Sequence, residues 1–206
     1  MATRKKMNFR DISFGLRQIR LLGLHHSDKG VAHIPENLKS IAMLRPEAFL
    51  VETSAKSLEL SEFVWKTRNP SQPLEEFCAQ ESYVNETLAF AGKQIISQTA
   101  APIIPIDIDP GITRRRLAKS ALFHPVESLL LISRYHGKNG SISSIDEVGP
   151  WRAKFKKTCP HAFEILFTDR EKYMCSQIDD FSRKYKKILV LMGLSHVDAI
   201  YNLLVP

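Results

Sequence analysis

Residues Ile19 to Thr53 read IRLLGLHHSDKGVAHIPENLKSIAMLRPEAFLVET, and this stretch decides the fold. An apolar run from Ile19 to Leu24 ends in Gly23-Leu24-His25-His26-Ser27. From Val31 to Leu44 the apolar residues Val31, Ile34, Leu38, Ile41 and Leu44 recur at helical spacing. Pro35 falls in the first turn, where a missing N–H is harmless, and Pro46 ends the element. A second apolar run, Ala48 to Val51, then delivers Glu52. Strand, helix, strand over 35 residues is a βαβ unit, which demands parallel strands and a right-handed crossover.

Near the far end, Ile188-Leu189-Val190-Leu191-Met192 is followed by Gly193-Leu194-Ser195-His196, so the Gly-x-x-His ending of the first run recurs. Glycine permits a sharp turn or a close backbone approach, and the imidazole is then held by a rigid strand end. In parallel sheets ligands bind beyond the carboxyl ends of the strands. The strands ending near Gly23, Val51 and Leu191 are therefore expected side by side in one sheet, with His26, Glu52 and His196 converging on one crevice. Two imidazoles and a carboxylate form an open site for a divalent metal of the zinc, manganese or cobalt class. Such a set requires side-chain tips within about 5–6 Å of one another. His25 points the opposite way along an extended chain and is assigned to packing or support.

Between these ends, Leu58 to Trp65 reads as a short helix and Leu74 to Ile96 as a helical segment with Phe77, Val84, Leu88, Ala91 and Ile95 inward. Pro102 to Asp107 is an apolar strand whose prolines suit an irregular or peripheral place. It ends in Asp107, a weaker ligand candidate that could instead cap the helix starting near Thr113. Helices are expected over Thr113–Leu122, Pro125–Tyr135, Ile145–Phe155, Pro160–Tyr185 and Val197–Leu204. The sequence Gly137-Lys138-Asn139-Gly140-Ser141 is the clearest loop. The expected fold is α/β: a mainly parallel sheet of about four strands with flanking helices and a helical middle segment. Residues 1–17 read as a basic N-terminal arm, and 18–206 as a single domain.

Composition narrows the function. With 44% hydrophobic and 25% charged residues among 206, the chain has an ordinary globular balance, and no run of ~18 apolar residues marks a membrane span. Three cysteines without a CxxC pair suit a reducing compartment, and Cys159-Pro160-His161 lacks the second pair a zinc site requires. A cytoplasmic place is expected, with the periphery of an organelle surface as the alternative. The net charge of +7 is spread along the chain without interleaved aromatics, which argues against a specific nucleic-acid groove.

Five blocks in order resemble the TraB/PrgY family, to which the Tiki-type metalloprotease domain is related. They are Gly23 to Ser27; Val51-Glu52; Glu86-Thr87-Leu88-Ala89 with Asp107 and Thr113 to Arg116; Asp169-Arg170-Glu171-Lys172-Tyr173-Met174; and Gly193-Leu194-Ser195-His196-Val197. Within the third block the position similar to the family's arginine is Arg116. The resemblance implies a metal-dependent, peptidase-like hydrolase in which His26, Glu52 and His196 hold the metal and Glu52 serves as ligand or base. Arg170 would orient Glu52 or a substrate carboxylate. Peptides or small molecules are the implied substrates, and a homo-oligomer is left open. The alternative the resemblance allows is a non-catalytic TraB-like regulator that binds a peptide or small signal.

Overall fold

The computed structural model describes residues 9–24, 34–81, 84–97, 100–135 and 145–205. Five strands form one sheet in the order β1-β2-β5-β3-β4: β1 (Phe9–Phe14), β2 (Arg17–Leu24), β3 (Ala48–Val51), β4 (Ile103–Pro105) and β5 (Lys187–Gly193). β2, β5, β3 and β4 are mutually parallel, so the two Gly-x-x-His strands are direct neighbours and the Glu52 strand lies against the second of them. Leu24 pairs with Gly193, and Val51 with Leu191, which sets all three strand ends at one edge.

The N-terminal arm requires correction. Phe9–Phe14 is not an arm but an antiparallel edge strand on β2, so the sheet has five strands among the described residues. Only Ile12 of this strand is buried, so its apolar signal was too thin to read. The two-residue loop Gly15-Leu16 joins Phe14 to Arg17, and Gly15 at φ 60° supplies the positive φ of a tight hairpin turn. Arg20 anchors the hairpin by a bidentate pair with Asp11 and a 2.9 Å bond to Ser40.

The helices are α1 (Ile34–Leu44), α2 (Ala55–Thr67), α3 (Leu74–Glu81), α4 (Val84–Ile95), α5 (Pro110–Phe123), α6 (Pro125–Tyr135), α7 (Ile145–Thr158), α8 (Pro160–Phe163), α9 (Asp169–Ser182) and α10 (Val197–Leu204). A π-helical turn, Glu164–Thr168, joins α8 to α9. Alternate residues of β5 divide the core. Ile188, Val190 and Met192 pack with Met174 and Ile178 of α9 and Val197 and Ile200 of α10. Leu189 and Leu191 pack with Ile34 and Ile41 of α1 and Val84 and Leu88 of α4. β5 is thus buried on both faces, as its unbroken apolar run requires.

The expected helical segment over 74–96 is two helices, and Ile95 is exposed while Ile96 takes the inward place. The prolines of 102–107 leave β4 three residues long at the sheet's edge. A smaller aromatic cluster of Phe155, Phe163 and Phe167, with Trp151 and Leu117 against it, forms beside the main core. The loop over 137–141 lies outside the described residues, as do His25 and His26.

Candidate functional site

The strand ends are locked before any side chain is considered. Glu52 N donates to Leu191 O at 2.8 Å, and Asp107 N to Thr53 O at 3.1 Å. Gly23 is required for this edge: a Cβ there would stand 2.7 Å from Val197 Cγ2 and 2.8 Å from Leu194 Cδ1. The glycine lets β2 pass against the turn Leu194–His196, which carries His196 off the end of β5.

Glu52 and Asp107 share one cation. Arg170 donates from Nε and Nη2 to the two Asp107 oxygens at 3.0 and 2.6 Å, and from Nη2 to Glu52 Oε1 at 2.7 Å. Its Nη1 donates to Leu166 O at 3.1 Å, within the π turn. Burial alone would discourage the charge on Arg170, but Asp107 and Glu52 outweigh it and raise its pKa above the ordinary value. Glu52 Oε2 accepts from Gly193 N at 2.5 Å, so the carboxylate is clamped from both sides.

Glu171, the next residue, serves the other half of the site. Its Oε1 lies 2.7 Å from His196 Nδ1, and its two oxygens accept from Arg152 at 2.5 and 2.9 Å. Arg152 also donates to Ser195 O at 2.9 Å and lies over the Phe163 and Phe167 rings. Burial opposes the Glu171 charge, yet His196 and Arg152 hold its carboxyl below the usual range. On an ordinary helix adjacent residues diverge by ~100°. Here that divergence is used, with Arg170 turned to the strand-end acids and Glu171 to the imidazole.

His196 is buried, and its second nitrogen, Nε2, stands 3.4 Å from Glu52 Oε1. An ionised carboxylate only accepts, so Glu171 requires the proton of His196 on Nδ1. In the neutral ring Nε2 then bears a lone pair, aimed at another acceptor. Two facing acceptors call for a proton or a cation between them. Among the described residues, buried Glu171 and partly buried Glu52 and Asp107 gather around Arg152, Arg170 and His196.

Of the residues expected from sequence, the structure brings together Glu52, His196, Asp107 and Arg170; His26 lies outside the described residues. Asp107 spends both oxygens on Arg170, so it is an anchor of that guanidinium and could ligate an ion only by releasing it. Arg116 pairs with Asp169, one residue before Arg170. Arg152 and the role of Glu171 were missed. Glu171 adjoins Arg170 and could have been weighed; Arg152 sits 44 positions before His196 in a helix whose pattern says nothing of the site.

Among the described residues no helix is long and apolar enough to cross a membrane. Compared with protein-family models and with curated proteins, the chain matches none.

Proposed function

We propose that this chain is a TraB/Tiki-like, metal-dependent hydrolase of peptidase-like activity, with His196, Glu52 and His26 as the metal-holding residues. One observation carries the reading: His196 Nε2 and Glu52 Oε1 stand 3.4 Å apart, with Nδ1 tied to a carboxylate. Bonds of about 2.0–2.2 Å put two ligands of one tetrahedral ion roughly 3.3–3.6 Å apart, so the pair fits. A carboxylate on the far nitrogen is the usual support of a ligating histidine, since it fixes the tautomer and raises the basicity of the other nitrogen.

A divalent metal bound there supplies a Lewis acid and a water of lowered pKa. The protein's part is positional. Glu171 and Arg152 hold the imidazole, while Arg170 and Gly193 N–H hold Glu52 so that Oε1 stays directed at Nε2. Arg170 is already saturated by two acids, so it acts as a positioning residue for Glu52; a substrate carboxylate would have to displace one of them. The pair lies at the carboxyl edge of the parallel strands, the edge at which such sheets bind ligands, and extended peptides or small molecules are the substrates of this reading. Soluble or peripheral placement and a reducing compartment are parts of this same reading.

A second reading has its own observation. A proton on Nε2 also satisfies the facing acceptors, and Glu52 Oε1 already receives Arg170. The network would then be a structural keystone in a non-catalytic protein that binds a peptide or small signal. Elemental analysis of the chain, followed by a metal-supplemented assay on a peptide library, separates the two. Bound metal and hydrolysis lost together in His196→Ala support the enzyme; a chain that takes up no metal supports the binding protein.

A further inference from the structure

We infer a separate transition-metal site, formed by His124, Glu127 and His161, that clasps the α5–α6 junction to the helical run bearing Arg170. It does not rest on the proposed hydrolase activity. His124 caps α5, Glu127 lies in the first turn of α6, and His161 lies in α8, nine positions before Arg170. One donor atom from each residue lies within 4.8 Å of the others. Ligands of one tetrahedral zinc ion stand roughly 3.3–3.6 Å apart, so closure draws the donors together by up to about 1.5 Å.

The three groups are already gathered by contacts of their own. Glu127 Oε1 accepts from Ala162 N at 2.7 Å, which holds a carboxylate that is only 12% exposed. Its Oε2 lies 2.9 Å from His161 Nδ1. The His124 and His161 rings stack with centroids 3.5 Å apart and planes 13° off parallel. His124 is fixed at its backbone, where its N–H donates to Ser120 O and its carbonyl accepts from Ser128 N. Two imidazoles and a carboxylate suit zinc, copper or nickel better than magnesium or calcium, and the fourth position is left to water. As an ion is taken up, the rings must splay so that both lone pairs aim at one point. The Glu127–His161 hydrogen bond is replaced by coordination.

The consequence is mechanical. His161 and Arg170 lie on one continuous helical run, so an ion here fixes the start of the run whose later turns position Glu52 and His196.

The test is Zn2+ titration of the chelator-stripped full chain by calorimetry, with circular dichroism to confirm folding. In a His196→Ala background, which removes the central site, one equivalent of Zn2+ is expected to bind. Adding His161→Ala or His124→Ala should weaken that binding at least ~10-fold, the loss already typical of removing an outer-shell partner. The inference is overturned if the His196→Ala chain binds no Zn2+, or if binding survives His161→Ala unchanged. Should His196→Ala fail to fold, His161→Ala alone is compared with the parent chain. His161 is largely exposed, so this variant leaves the core intact. Loss of one equivalent is expected, and an unchanged stoichiometry overturns the site.

Discussion

His196 Nε2 stands 3.4 Å from Glu52 Oε1, while its Nδ1 lies 2.7 Å from Glu171 Oε1. The two residues are brought together from adjacent strand ends, and everything around them fixes their separation. Their surroundings give the following expectations.

Arg170→Ala deprives two partly buried carboxylates, Glu52 and Asp107, of the cation they share. Breaking a buried pair by removing one partner costs ~3–5 kcal/mol. Denaturant unfolding should show a loss of that size, with Arg170→Lys recovering only part because it cannot bridge both acids bidentately. A loss under ~1 kcal/mol would show that the network does not hold the sheet edge.

The acid limb of stability should depend on Glu171. Its carboxyl is depressed in the folded state, so its contribution is complete above the ordinary carboxylate range and is lost as pH falls through the folded value. Glu171→Gln should lower stability at neutral pH and flatten the decline on acidification. An acid-unfolding curve of unchanged slope and midpoint would contradict the assignment.

Gly23→Ala places a methyl group 2.7 Å from Val197 Cγ2, 2.8 Å from Leu194 Cδ1 and 3.2 Å from Leu194 Cα. The last contact is backbone and cannot swing aside. A destabilisation of about 1–3 kcal/mol is expected, the usual range for overpacking. A variant as stable as the parent would mean that β2 and the His196 turn do not pass so closely.

The sheet was legible where apolar runs were long. β2, β3 and β5 each carry four or more consecutive buried apolar residues, and their parallel order followed from βαβ spacing. β1 was not legible, because an edge strand with one buried residue has no such run. In the site, Glu52 and His196 could be read from strand ends, and Arg170 from its similarity to a family motif. Arg152 could not, since its role depends on α7 packing its aromatic neighbours against Phe167. The π turn was equally hidden; it depends on packing, and no residue type in Glu164–Thr168 announces it.

The thiols give a simple check. Burial pushes the Cys78 thiol up to about 11, Cys159 is fully buried, and burial with Asp179 nearby raises Cys175. The thiolate is the nucleophile, so the native chain should react slowly with a disulfide reagent at pH 8, and all three cysteines should react on unfolding. Rapid modification of Cys78 in the native chain would contradict its place on the inward side of α3.

If His196 and Glu52 hold a metal ion, metal stoichiometry in a His161→Ala background, where the α5–α6 cluster is disabled, reads that ion alone. The His161→Ala chain is expected to bind one equivalent of divalent metal. None is expected when His196→Ala is added and the chain remains folded. A His161→Ala chain that binds no metal, or one whose bound metal is unaffected by His196→Ala, would contradict a metal site at this pair.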